Sequence, residues 1–340
     1  MKSERRKFLK QAGVAGAALA ASSTSTMTET SAATAGSTPR APSAMPRGMM
    51  LLTMRSGERH TLGIKTDKGI LDVATAAKVL KSPAPVTMDD LLDNGDGGLA
   101  ELRDRALASG AKNLFLAESQ VHFGPCVTNP QKIICVGLNY ARHAKEVGQQ
   151  LPKLPILFNK YNTSLNAHQG TVRVSAIPAT NYDYEAELVI VIGRRASNVS
   201  EAEALSYVLG YATGNDFTAR DLQSRSSQWM IGKACDGFAP IGPYVVTADL
   251  VGDPNSLKIE CRVNGEVRQS SNTSDMVFNC AQIVSYASRL MTLEPGDLFF
   301  TGTPEGVISG YPKDRQVWLK AGDKLSTTIE KLGELRFSLV

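Results

Sequence analysis

Apolar residues along this chain fall in short, β-branched runs more often than in helical stripes. Residues 49–54, 61–65 and 69–73 read as strands separated by glycine and charged turns. Residues 74–80 and 98–109 read as helices, the second with Leu99, Leu102 and Leu107 near helical spacing. Runs at 132–136, 187–192, 243–247, 257–263 and 324–329 predict further strands, with a hairpin turn at Asn264-Gly265. Helices are predicted over 140–147, 201–209 and 281–291. Strands outnumber helices without regular alternation, which predicts an α+β, strand-rich fold with mixed sheets. The runs divide into a small N-terminal domain, 48–125, and a larger one, 130–340.

The first 47 residues follow a different grammar. Residues 1–20 hold Arg5-Arg6-Lys7-Phe8-Leu9-Lys10 and then a short Ala/Gly-rich run, the pattern of a twin-arginine export signal. Glu4 stands where Ser or Thr usually precedes the arginine pair. Residues 21–47 are Ser, Thr, Ala and Pro with few large apolar groups and read as a disordered linker. The expected location is periplasmic or secreted, with the cytoplasm as the alternative. A stable membrane span is not expected, because the apolar run is well short of about 20 residues.

Of 340 residues, 42% are hydrophobic and 21% charged, enough to bury a core. Five of the 37 basic residues and one of the 33 acidic ones fall in the first 20 positions. That leaves 32 of each sign elsewhere, so the body carries no electrostatic footprint for nucleic acid. Five scattered cysteines (Cys126, Cys135, Cys235, Cys261, Cys280) form no Cys-x-x-Cys pair and read as free thiols. Gly-x-Gly-x-x-Gly and P-loop motifs are absent.

Two Glu-Ala-Glu tripeptides sit in different settings. Ser200 and Glu203 form a capping-box pattern, so Glu201 and Glu203 are expected at a helix start with diverging carboxylates. Glu185 and Glu187 lead into Leu-Val-Ile-Val-Ile, and on a strand residues i and i+2 share a face. Two carboxylates beside a buried strand repel each other and resist desolvation unless a cation neutralises them. A pair facing solvent at a strand edge is the other reading. Asn215, Asp216, Arg220, Asp221 and Gln223 crowd into nine residues downstream. Oxygen-only donors suit hard cations such as Mg²⁺, Mn²⁺ or Ca²⁺.

Six segments occur in register: Cys135 to Glu146, Tyr184-Glu-Ala-Glu-Leu188, Asn215 to Gln223, Trp229-x-x-x-Lys233, Pro240-Ile-Gly-Pro243 and Thr301-Gly-Thr-Pro304. Together they resemble the fumarylacetoacetate hydrolase family, in its acylpyruvase and 2-hydroxyhepta-2,4-diene-1,7-dioate isomerase-like branch. The resemblance implies a mixed β-roll catalytic domain, a small N-terminal domain and a homodimer. It implies that Glu185, Glu187 and Asp216 hold a divalent cation, Mg²⁺ first, and that Lys233 is the active-site lysine. Arg220, Gln223 and Thr303 match substrate-contacting positions. His143 and Glu146 match a His-x-x-Glu dyad on a lid helix, and i, i+3 spacing makes them neighbours. His60, His122 and His168 match nothing and read as structural or surface residues.

The implied chemistry is cleavage of a C–C bond in a β-diketo or 2-oxo acid, with the cation stabilising an enolate and His143 as general base. Isomerisation or decarboxylation of a related 2-oxo acid is the alternative. A non-catalytic oxo-acid-binding protein ranks below both. Substrate specificity is expected in segments 146–155 and 224–230.

Overall fold

The run predicted at 187–192 forms the strand Ala186–Ile192, buried along its whole length. Ala186, Leu188, Ile190 and Ile192 enter one apolar cluster, while Val189 and Val191 enter another. A strand covered on both faces is read as a continuous apolar run for this reason. It pairs antiparallel with Val208–Asn215 on one side and Leu298–Phe300 on the other. The computed structural model describes residues 44–340. The expected export signal at 1–20 and the expected linker up to residue 43 lie outside the described residues.

These three strands belong to a 12-stranded sheet. From Val208–Asn215 it runs through Val245–Thr247, Met50–Ser56, Arg59–Thr66 and Gly69–Asp72 to Phe115–Leu116. From Leu298–Phe300 it runs through Ile133–Gly137 to the edge strand Ile156–Lys160. A five-stranded sheet carries the hairpin Lys258–Val263 and Glu266–Asn272 together with Lys324–Ile329, Gly333–Leu339 and Gly170–Val172. Asn264 and Gly265 turn that hairpin with φ of 52° and 89°, the positive values a two-residue turn needs. The longest helix of the second half, Cys280–Leu290, starts on a reciprocal capping box between Asn279 and Gln282. The fold is mixed α+β and strand-rich, as the sequence pattern predicts.

Three features differ from the pattern. Met50 and Leu51 pair with Val246 and Val245, so the segment expected as a separate N-terminal domain shares its sheet with the larger part. The described residues, 44–340, all fall in one compact unit. The end of the expected linker is packed: Pro46 is buried, and Ala44 O accepts Asp96 N–H at 2.8 Å.

The helix expected over 201–209 is the third. Glu201–Ala204 is α-helical, Leu205–Tyr207 tightens to a 3₁₀ turn, and the strand begins at Val208. Ser200 makes no side-chain bond to the helix backbone, and its hydroxyl instead donates to Glu203 Oε2 at 2.7 Å. The strand is disguised by Gly210, Ala212 and Gly214, residues of low strand propensity. Close packing demands the small residue, because a Cβ on Gly214 would lie 2.5 Å from Val189 Cγ2.

Candidate active site

Four strand ends meet at one edge of the large sheet. Antiparallel and parallel pairing place the start of Ala186–Ile192 beside the ends of Val208–Asn215, Leu298–Phe300 and Ile133–Gly137. The two-residue period puts Glu185 and Glu187 on one face. Because Asn215 pairs with Ala186, Asp216 falls opposite Glu185, and its N–H donates to Glu185 O at 2.8 Å. One carboxylate oxygen from each of Glu185, Glu187 and Asp216 lies within 4.8 Å of the others, and all three residues are buried.

Cations surround two of these acids. Lys233 Nζ donates to Glu185 Oε2 at 2.6 Å and to Asp216 Oδ2 at 2.9 Å. Lys160 Nζ bonds the other Asp216 oxygen. Arg220 faces Glu185 Oε1 through Nη2 at 2.7 Å and donates from Nε to Asp183 Oδ2 at 2.8 Å. Glu187 makes no ion pair among the described residues. Among those residues its one hydrogen bond is from the N–H of Gly302, at 2.8 Å. Gly302 holds φ of 100°, and a Cβ there would lie 2.8 Å from Asn139 Cβ. Glycine at that position therefore serves both the turn and the donor.

The ionisation behaviour follows. Burial, then Asp216 and Glu185, push the Glu187 carboxyl well above the usual carboxylate range. Burial also opposes charge on Glu185, yet Lys233 and Arg220 outweigh it and hold that carboxyl below the usual range. Burial disfavours the Lys233 ammonium, and Asp216 and Glu185 reverse this and raise it. With all four acids ionised, Asp183, Glu185, Glu187 and Asp216 would face three cations (Lys160, Arg220, Lys233), a net of minus one. A divalent cation fits this donor set: it would sit against hard oxygen donors, neutralise Glu187 and leave the centre at plus one, matched to an anionic substrate.

His143 and Glu146 lie on the helix Ala141–Glu146, with Nδ1 3.3 Å from Glu146 Oε2. Glu146 Oε1 accepts Gly306 N–H at 2.9 Å, which ties the helix to the loop after Thr303. Thr303 Oγ1 accepts from Gln269 Nε2 at 2.8 Å, so its own hydroxyl proton is free to donate. Gln223 Oε1 accepts from Arg220 Nη1 at 3.1 Å. His143, Glu185, Glu187, Arg220, Gln223, Lys233 and Thr303 all line one cavity of about 800 Å³. Asp216 and Glu146 stand behind that wall, bonded to residues that form it or support it. Val147 and Gln149 on one side, and Ser224, Ser226 and Trp229 on the other, bring both expected specificity segments to the cavity.

Sequence reasoning missed three supporting residues. Lys160 is buried against Asp216. Asp183 is buried, takes Arg220, and accepts the N–H groups of Ile308 and Ser309 at 2.9 and 3.0 Å. Gln269 accepts Ala186 N–H at 2.9 Å while holding Thr303. Only Asp183 carried a signal: it extends the alternating acids Glu185 and Glu187 by one step of two. Among the remaining histidines, His168 is buried, with Nδ1 accepting Arg336 N–H at 3.2 Å, as a structural residue would be.

A strand-rich sheet whose edge gathers three acids, a lysine and a His–Glu pair defines a class. Residues 132–340 match the family described as Fumarylacetoacetate (FAA) hydrolase C-terminal. The chain belongs to the fumarylacetoacetate hydrolase family. It is 41% identical over 266 residues to the mitochondrial oxaloacetate tautomerase Fahd2a of Rattus norvegicus, covering 78% of this chain and 82% of the relative. Among solved structures it is similar to 5-carboxymethyl-2-hydroxymuconate delta-isomerase from Mycobacterium smegmatis (32% identity, TM-score 0.65, 86% of this chain and 98% of that one). It is also similar to fumarylpyruvate hydrolase from Pseudomonas aeruginosa in complex with Mn²⁺ and pyruvate (37% identity, TM-score 0.55, 66% and 92%). No helix among the described residues is long and apolar enough to cross a membrane.

Proposed function

We propose that this protein is a divalent-cation-dependent enzyme that interconverts the keto and enol forms of a 2-oxo acid, an isomerase or tautomerase. The observation that carries the reading is the buried acid triad sharing one cavity with the His143–Glu146 pair. The sequence put C–C hydrolysis first; the tautomerase and isomerase relatives support the alternative better. Oxaloacetate, named for the rat relative, is the first substrate to try.

Glu185, Glu187 and Asp216 would hold the cation, Mg²⁺ or Mn²⁺. When bound, it supplies charge to the carboxylate and 2-oxo oxygens and to the negative charge that grows there as C3 loses a proton. The chain's own residues do the rest. With Nδ1–H turned to Glu146, His143 presents Nε2 as the base that takes the C3 proton and returns it. Arg220 and Gln223 orient the substrate carboxylate, and the Thr303 hydroxyl donates to an oxygen that becomes negative. Lys233 fixes Glu185 and Asp216 relative to each other. Enolisation needs only this shuttle, whereas hydrolysis also needs a water delivered to a carbonyl carbon.

Mass spectrometry of products separates the two: tautomerisation leaves the carbon skeleton whole, and hydrolysis yields two fragments. Two fragments from an acylpyruvate at a rate matching enol loss would return hydrolysis to first place. We also propose a homodimer, and export of the folded enzyme on the Arg5-Arg6 signal in place of the relative's mitochondrial location. Light scattering and cell fractionation test these two.

A further inference from the structure

The cavity is far larger than the head of a 2-oxo acid needs; about 800 Å³ lies in the range of pockets that take much bigger ligands. Its inner cations are committed: Lys233 to Glu185 and Asp216, Arg220 to Asp183 and Glu185. Lys313 also lines the wall, exposed at the rim, and makes no ion pair or hydrogen bond among the described residues. Besides Glu185 and Glu187, the cavity is lined by the acid Asp221, which accepts the backbone N–H groups of Thr180 and Asn181 at 3.1 and 3.4 Å and does not bridge to Lys313.

The segment carrying Lys313 is held in place. Ile308 and Ser309 donate to Asp183, the same carboxylate that clamps Arg220. Gln316 Nε2 closes the loop on Tyr311 O at 2.8 Å and Ser309 O at 3.3 Å. The turn also abuts the dyad, since a Cβ on Gly310 would lie 2.3 Å from Glu146 Cδ. A continuous chain of ion pairs and hydrogen bonds therefore runs from the acid centre through Arg220 and Asp183 to the base of the Lys313 loop.

We propose that Lys313 is a specificity-determining residue that takes a second carboxylate at the far end of the substrate, so that the site favours 2-oxo diacids over 2-oxo monoacids. This rests on the proposed function for the placement of the first carboxylate. An uncommitted ammonium at the mouth of an otherwise paired cavity recognises a remote anion and is screened by salt.

The test is calorimetry on the full-length chain loaded with Mg²⁺, using 2-oxoglutarate and 2-oxobutanoate as probes. Wild type should bind the diacid more tightly, and Lys313→Met should narrow that preference roughly three- to tenfold, the range between an exposed pair and a charged hydrogen bond. Lys313→Arg should keep most of the preference, and raising the salt should shrink it in wild type more than in Lys313→Met. Equal weakening of both acids, no change in either, or no wild-type preference for the diacid overturns the proposal. C3 proton exchange on the same samples reports separately on the reaction: binding preference without exchange would sink the proposed function and leave the assignment of Lys313 standing.

Discussion

Glu187→Gln isolates the charge logic of the acid centre. The substitution keeps shape and leaves a side-chain oxygen to accept Gly302 N–H, while removing a buried carboxyl that pairs with no basic side chain among the described residues. In chelator the variant should be at least as stable as wild type. The sign of the pH effect follows from the direction of the shift. A carboxyl raised in the folded state binds its proton more tightly there, so wild type in chelator loses stability as pH rises from the ordinary carboxylate range through the folded value. The variant should lose less. With Mg²⁺ at about a hundred times its dissociation constant, linkage gives wild type about 2.7 kcal/mol. If losing one of three carboxylate ligands weakens affinity about a hundredfold, the same concentration gives the variant only about 0.4 kcal/mol. At roughly 2–4 °C per kcal/mol this is a Tm rise of about 5–11 °C against about 1–2 °C. Differential scanning fluorimetry across a Mg²⁺ titration reads both numbers. An equal Mg²⁺-dependent rise in both proteins, with the same midpoint, would refute the argument.

Three further outcomes are expected. Lys160→Met leaves Asp216 buried with half its ionic support, and denaturant unfolding in chelator should show a loss of about 3–5 kcal/mol. His143→Ala should lower the rate of C3 proton exchange by roughly 10²–10⁴ while Mg²⁺ binding by calorimetry stays close to wild type. His168, whose pKa burial lowers from 6.5 to about 4, takes up its proton more readily once unfolded. Stability should therefore fall as pH drops from about 6.5 to 4, by roughly 1–3 kcal/mol after allowing for solvent screening, and His168→Gln should flatten that slope in urea titrations.

What the sequence discloses depends on whether a residue's surroundings are local. The strand Ala186–Ile192 is legible because burial on both faces leaves an unbroken β-branched run, and the parity of Glu185 and Glu187 follows from it. Asp216 is legible as an acid, but its position opposite Glu185 depends on Val208–Asn215 being a strand. That strand is hidden, because its tight neighbours select glycine and alanine and so erase the propensity signal. Lys160 is the sharper case. A lysine after Phe158 and Asn159 reads as a polar edge, and only the fold brings it to a buried carboxylate 56 positions away. The N-terminal strands are individually clear, while their union with the rest rests on Met50 and Leu51 meeting a strand nearly 200 residues distant.

The most direct measurement is deuterium incorporation at C3 of oxaloacetate and 2-oxobutanoate, followed by NMR in D₂O against protein-free controls. Full-length protein with Mg²⁺ should accelerate exchange, chelator should abolish the acceleration, and Glu185→Gln with Mg²⁺ should lack it. Exchange no faster than the control with Mg²⁺ demonstrably bound, or acceleration that survives chelator, would contradict the assignment of this centre as a cation-assisted enolisation site.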